Sequence, residues 1–328
     1  MKAWLLDDFR GIEGMGLAET PNPKPAAGEV VLRVRYAALN PADRYLAEAQ
    51  YPAKPKLPHV LGRDGDGDVI EIGAGVTNWR VGDRALILRS EIGVARAGTL
   101  AEQVAVPVEV ITKPPADWEE KEYAGAPLVY LTAYQALTQW DALPAPSNIL
   151  ITGASGGVGV ASIQLATAMG HRVMAMSRGD SKRDALMKLG AMAVLDPADA
   201  QWRKKCRDVL GGGRVDLAID NIGGKLFSEI VEVLGENGKV ACVGRLAGPV
   251  PEFNTATLFF RRIHIRGVFV GAYKPHEAQE AWRQALATLA KTQARPIVDS
   301  VFPFDKVPDG FERLRQGPLG KVLIEVGG

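Results

Sequence analysis

"ITGASGGVG", residues 151–159, closes one apolar run and opens another. The preceding "NILIT" reads as a strand. The following "VASIQLATAMG" reads as a helix that begins at about Val158. Gly153, Gly156 and Gly159 stand at G-x-x-G-x-x-G spacing between them. Glycines at those places let the backbone turn tightly and approach a pyrophosphate, which rests on the amides of the helix N-terminus. A turn that needs glycine only for its backbone angles has the same spelling. The strand-turn-helix context favours the phosphate reading. The residues expected to touch a dinucleotide are therefore Gly153, Ala154, Ser155, Gly156, Gly157, Val158 and Gly159.

The pattern repeats downstream. "RVMAMS" precedes the helix "SKRDALMKLG", and "AVLD" precedes "DAQWRKKCRDVL". "VDLAID" precedes "GKLFSEIVEVLG", and "KVACVG" and "HIRGVFV" follow. Strands alternating with helices predict a doubly wound parallel sheet with helices on both faces, an α/β fold. Upstream, "EVVLRVRYAAL", "DVIEIGAG", "DRALIL" and "AEQVAVP" are short, valine-rich and bounded by Gly, Pro or Asp. They predict a β-rich first domain. Asp117 is the expected cap of a helix that marks the change of character. The boundaries expected are 1–115, 116–270 and 271–328, the last segment returning to the first domain through "KVLIEV".

The strand after the glycine turn should end beside the adenosine ribose. Sites for NAD place a carboxylate there, roughly 20 residues on. Here Ser177 and Arg178 follow "RVMAM", with Lys182 and Arg183 close behind. A hydroxyl and cations suit a 2′-phosphate, so NADPH is the expected cofactor. Asp180 is the rival, and an exposed helical face is the plain alternative for the lysine and arginines.

Composition excludes several other functions. The chain has 328 residues, with 39 Lys and Arg against 38 Asp and Glu. Without a basic excess, neither nucleic acid nor an anionic membrane is an expected partner. Two cysteines make no disulfide framework, which fits a reducing, cytoplasmic setting. The opening "MKAWLLDDFR" is too short and acidic for a signal peptide, and the two long uncharged windows are too polar and proline-broken to span a membrane.

The order of parts resembles the medium-chain dehydrogenase/reductase superfamily, across nearly the whole chain. "GRDGDGDVIEIGAGVTNWRVGDRAL" is similar to its G-x-D-x-x-G-x-V signature, and "LNPADRYLAEAQYP" resembles the N-P-x-D-x-Y segment of the quinone oxidoreductase branch. The resemblance implies a Rossmann-type domain plus a GroES-like catalytic domain. Zinc-dependent members carry a His-Glu pair in the first segment and a cysteine ligand near Asn40. This chain has Arg63-Asp64 and Asn-Pro. An arginine supplies no ligand, four histidines lack metal-ligand spacing, and the aspartates of "GRDGDGD" miss the glycine and glutamate of a calcium loop. No metal is expected. Asp66 and Asp68 are expected at bulge or edge positions, and Arg63 is expected to pair with Asp64.

Hydride from NADPH would then need an acceptor already electrophilic, a quinone or an α,β-unsaturated carbonyl. Tyr45 and Tyr51 are the candidate proton donors, with packing of a cleft wall as the alternative for each. The resemblance further places Asn40, Asp43 and Thr132 near the nicotinamide, and Asn221, Gly244, Arg245, Phe269, Val270 and Lys321 at the cofactor. Reduction of an enoyl or acryloyl thioester, and non-catalytic NADPH binding, remain the competing readings. Substrate shape would depend on the 89–98 loop, Tyr51 and Phe260. The strand "HIRGVFV" is expected at a sheet edge, where it would pair with its copy in a homodimer.

Overall fold

The computed structural model describes residues 1–88, 91–248 and 254–327. It divides into two units. The first comprises Met1–Leu128, Val270–Trp282 and Arg295–Gly328; the second comprises Val129–Phe269 and Arg283–Ala294.

The first unit is built on the strand Glu29–Ala38. Its sheet runs in the order Val298–Pro303, Lys321–Glu325, Glu29–Ala38, Gly65–Ile72, Arg84–Ile87, Ile111–Thr112, with Gln103–Pro107 also paired to Glu29–Ala38. A smaller sheet joins Met15–Glu19, Lys2–Leu6 and His59–Val60. Strand periodicity explains the core: Val30, Leu32 and Val34 share one face and pack with Val69, Ile87, Val104 and Val106. Ala37 and Leu39 join Leu6, Leu46, Leu61, Val322 and Ile324 in a second cluster. The C-terminal strand pairs antiparallel with the first, Leu323 opposite Ala38 and Ile324 opposite Ala37. Gly65–Ile72 is an inner strand, paired on both sides, so Asp66 and Asp68 are not at an edge. The ladder does shift register opposite Asp66, between Val34 and Tyr36.

The second unit holds a six-stranded parallel sheet in the order Ala191–Leu195, Arg172–Met176, Asn148–Ile151, Val215–Asp220, Leu234–Cys242, His264–Gly267. The chain starts at an inner strand, winds outward one way, then returns to wind the other way. That leaves a switch point at the carboxyl ends of Asn148–Ile151 and Val215–Asp220, where open α/β sheets take ligands. The inner strands Asn148–Ile151, Arg172–Met176 and Val215–Asp220 are mostly apolar and buried because both faces are covered, whereas the edge strand His264–Gly267 is exposed. Leu150, Met174 and Ala218 pack with Trp202, Phe227 and Ile230.

Several local expectations are corrected. The helix expected behind Asp117 runs Glu120–Ala124, and Glu119 caps it: its amide donates to Glu122 Oε2 at 2.8 Å. Asp117 instead pairs with Arg295 at 2.7 Å. The first unit therefore extends past residue 115 to Leu128, because this helix packs Ala124 against Tyr36 and Ala38 of the first sheet. Part of the expected return, Arg283–Ala294, belongs to the second unit. "HIRGVFV" is a strand only over His264–Gly267; Phe269 lies beyond it, 59% exposed, and Val270 begins a 3-10 turn. The expected pocket loop 89–98 starts outside the described residues. Among the described residues no helix is long and apolar enough to cross a membrane.

Candidate functional site

In the second unit the glycine turn closes as the spacing requires. Gly153 has φ +57°, a left-handed angle that favours glycine. Gly156 caps the helix Gly157–Ala168. A Cβ on Gly159 would sit 2.4 Å from the Gly153 carbonyl oxygen and 2.6 Å from Ala154 Cα, so helix and turn meet there with no room for a side chain. A Cβ on Gly156 would meet only the Gly153 carbonyl, at 3.5 Å. The helix N-terminus is thus left open in front of Gly156, the cradle a pyrophosphate needs. Gly157 and Val158 form the first turn of that helix, and Ala154 is fully buried.

Beside this cradle the Lys182 ammonium reaches Ser155 Oγ at 3.3 Å. Ser177 is buried at the end of its strand, its amide bonded to Leu195 O. Arg178 is exposed. Asp180 is not aimed inward: it pairs with Arg183 and its side chain is 86% exposed. A cation on a serine of the glycine turn fits an anionic group there.

At the switch point Thr152, Asp220 and Asn221 interlock, all three buried. Asn221 Oδ1 is buried with no partner among the described residues. Gly244 lies so close that a Cβ would fall 2.6 Å from the Asn221 carbonyl oxygen. Arg245 is exposed on the same turn, and Thr132 is half-buried in the helix Pro127–Thr138. Phe269 and Val270 fall on either side of the division between the units, Phe269 exposed and Val270 buried.

In the first unit Asn40 and Asp43 belong to a buried charge cluster. Pro41 opens the helix Pro41–Ala47, and the Asp43 carboxylate turns back to accept the Asn40 amide at 3.0 Å. Its other oxygen accepts from Arg63 Nε at 2.9 Å. Arg63 also donates to the Ala42 carbonyl. Its guanidinium carbon lies 4.8 Å from the centroid of the Tyr51 ring. Burial alone would lower the Arg63 pKa, but attraction to Asp43 and Tyr51 outweighs it and the pKa is raised. Lys321 Nζ donates to Leu39 O at 3.1 Å, Asn40 Oδ1 at 2.8 Å and Asp64 Oδ2 at 3.0 Å. Burial pushes the Asp64 carboxyl up, and the Lys321 ammonium pulls against it.

One expectation changes here, and three candidates gain partners within the chain. Arg63 pairs with Asp43 and Asp64 with Lys321, because neighbours on extended backbone point to opposite sides. Asn40 is fully engaged by the protein, its amide nitrogen donating to Ala38 O at 3.0 Å and its oxygen accepting from Lys321. Asp43 is likewise consumed by two bonds. Both hold the start of the helix. Lys321 joins this cluster from a strand that returns to the first unit beside Glu29–Ala38, as expected of "KVLIEV". Tyr51 remains half-buried over Arg63, and Tyr45 stands half-buried in the helix with the Arg44 guanidinium 5.5 Å from its ring. Asp220 and Thr152 were not singled out from sequence; the signal available was a polar pair ending two apolar strands. Among the described residues no three His, Cys, Asp or Glu side chains come together as a metal cluster.

Two family models match the chain: the alcohol dehydrogenase GroES-like domain over residues 26–116, and the zinc-binding dehydrogenase over residues 157–291. The chain is 27% identical to a quinone oxidoreductase of Lama guanicoe over 99% of its own length and 97% of the relative's. It is 26% identical to the Homo sapiens quinone oxidoreductase with the same coverage. Among solved structures it is similar to an NAD-dependent alcohol dehydrogenase, 28% identical, TM-score 0.91, covering all of both chains. It is also similar to a mycobacterial protein complexed with NADPH, 25% identical, TM-score 0.90, covering 99% of this chain and all of the other.

Proposed function

We propose, because this chain belongs to the medium-chain dehydrogenase/reductase superfamily in its quinone oxidoreductase branch, that this oxidoreductase is a zinc-independent NADPH:quinone or enone reductase. The observation that carries the reading is the Asn40–Asp43–Arg63–Asp64–Lys321 cluster. Its carboxylates and amide are bonded to the chain's own cations. A zinc site needs protein ligands with free lone pairs plus an open position, and these side chains do not offer that set. The acceptor must then bring its own electrophilicity, which conjugated carbonyls and quinones do.

The dinucleotide, when bound, supplies the hydride. The chain's residues bind and orient it: the Gly153–Gly159 turn holds the pyrophosphate, and Lys182 with Ser155, Ser177 and Arg178 favours a 2′-phosphate. Hydride addition to the β-carbon of an enone moves the π electrons to the carbonyl oxygen. That enolate oxygen then takes a proton from a tyrosine hydroxyl, Tyr51 or Tyr45, which water restores. Arg63, itself paired with Asp43, lies against the Tyr51 ring and orients it.

The protein is proposed to work in the cytoplasm, on small electrophiles, as a homodimer joined through the exposed edge strand His264–Gly267. A monomeric mass in light scattering rejects the dimer. The decisive test of function is a screen of 1,4-benzoquinone and alkenals with NADPH and NADH side by side, with and without chelator. Turnover with NADPH that a chelator leaves unchanged supports the reading. Turnover that is lost to the chelator and returns with zinc overturns it. Turnover of acyl-CoA enoyl thioesters alone would move the assignment to thioester reduction, and tight NADPH binding without turnover would move it to a non-catalytic role.

A further inference from the structure

Thr152 and Asp220 sit at the carboxyl ends of the two adjacent strands that flank the switch point. Their hydrogen bonds are fully determined by donor and acceptor chemistry. A carboxylate only accepts, so the Thr152 hydroxyl must donate to Asp220 Oδ1, 2.7 Å away. The same hydroxyl oxygen then accepts the main-chain N–H of Asn221 at 2.9 Å. Asp220 also gathers the amides of Ile222 and Gly223 at 3.1 Å each, which fixes the turn after the strand. A backbone carbonyl only accepts as well. The Asn221 side-chain atom 2.7 Å from Thr152 O must therefore be the NH2 group.

One consequence concerns the remaining atom of that amide. With one N–H of Nδ2 bonded to Thr152 O, the side-chain atom of Asn221 that has no partner is Oδ1, an acceptor. It is buried, and no described residue donates to it. Asn221 itself is 8% exposed. It also abuts the phosphate turn, since a Cβ on Gly153 would lie 3.4 Å from Asn221 Cβ. A buried acceptor left without a protein donor beside a dinucleotide cradle calls for a donor on the ligand.

We propose that Asp220 and Thr152 are positioning residues: the Thr152 hydroxyl, held by Asp220, fixes the Asn221 main chain, and the Thr152 carbonyl fixes its carboxamide, so that Oδ1 offers an acceptor that selects an N–H or O–H donor on the dinucleotide. The inference rests on the dinucleotide-binding reading above. Such a donor exists on the carboxamide and on the ribose hydroxyls. Asn221 makes the contact; Thr152 and Asp220 act only through it.

The test is a ratio of dissociation constants, measured by calorimetry on the full chain. NADP⁺ is compared with its 3-acetylpyridine analogue, which lacks the carboxamide N–H, and with an analogue deoxygenated at the nicotinamide ribose. The wild type should bind one of these analogues about tenfold more weakly than NADP⁺, the scale of one lost hydrogen bond to a buried acceptor. Asn221→Ala should bring that ratio near one. Thr152→Val keeps the main-chain carbonyl but loses the hydroxyl that holds the Asn221 main chain, so it should move the ratio toward one, and Thr152→Ser should restore it. Each ratio is internal to one variant, so a general loss of stability cancels. Discrimination against the acetylpyridine analogue assigns the donor to the carboxamide, and discrimination against the deoxy analogue assigns it to the ribose. Wild-type ratios retained in Thr152→Val would overturn the positioning role. A wild type that binds neither NADP⁺ nor NAD⁺ would instead overturn the dinucleotide reading itself.

Discussion

Replacing Lys321 by methionine removes a buried ammonium while nearly keeping the side chain's length. In the folded chain Nζ has three acceptors, Leu39 O, Asn40 Oδ1 and Asp64 Oδ2, at 2.8–3.1 Å. The ion-pair side chains are 5% and 0% exposed for Lys321 and Asp64. Water therefore cannot replace the lost donor without rearrangement. Breaking a buried pair from one side costs about 3–5 kcal/mol, chiefly because the other charge is stranded. For a unit of this size that is a melting-temperature drop of about 6–20 °C. Asp64→Asn added to Lys321→Met removes the stranded charge, so the double variant should recover about half of the loss, on the order of 2 kcal/mol. Urea unfolding followed by circular dichroism measures the wild type and both variants, with the m-value checked for constancy. If Lys321→Met alone costs less than about 1 kcal/mol, the range of an exposed pair, the cluster is solvated and its anchoring role fails.

Three further outcomes are expected. Asp66 is buried, and its pKa is pushed up to about 7 by burial, opposed by Arg84. A carboxyl raised above its unfolded value adds stability that is complete below the unfolded pKa of about 4 and is lost as pH rises through about 7. Asp66→Asn should therefore stabilise the wild-type fold above pH 7, by up to about 4 kcal/mol, with the advantage shrinking toward pH 4 in paired urea melts. Gly159→Ala forces a Cβ to 2.4 Å from the Gly153 carbonyl, so it should lose both thermal stability, by about 2 kcal/mol or more, and dinucleotide affinity; Gly156→Ala should melt normally yet bind NADPH at least about tenfold more weakly. Lys182→Ala should raise the Kd for NADPH about tenfold while leaving that for NADH nearly unchanged in calorimetry; equal losses for both would remove the 2′-phosphate assignment.

The glycine turn was legible because its constraints are local. Gly153, Gly156 and Gly159 lie within seven residues, and strand and helix periodicity on either side is written in the same window. The charge cluster was not legible in the same way. Lys321 and Asn40 are separated by 281 positions, and only the antiparallel seam of Lys321–Glu325 on Glu29–Ala38 brings them together. Asp43 and Asn40, placed near the nicotinamide by resemblance, are held by bonds that depend on Arg63 and Lys321. Asp220 escaped notice because a polar residue ending a strand has no signature of its own; its meaning depends on Thr152, on the neighbouring strand.

By itself the sequence determined the parallel-sheet unit, the β-rich unit and the place where the pyrophosphate can rest. These follow from periodicity and from glycine's freedom of backbone angle, which act between near neighbours. Tertiary structure alone decided which charges meet, and therefore which side chains are spent and which acceptor stays open. Ion pairs and hydrogen bonds form wherever strand order places their ends, and strand order is a property of the whole folded chain rather than of any one segment.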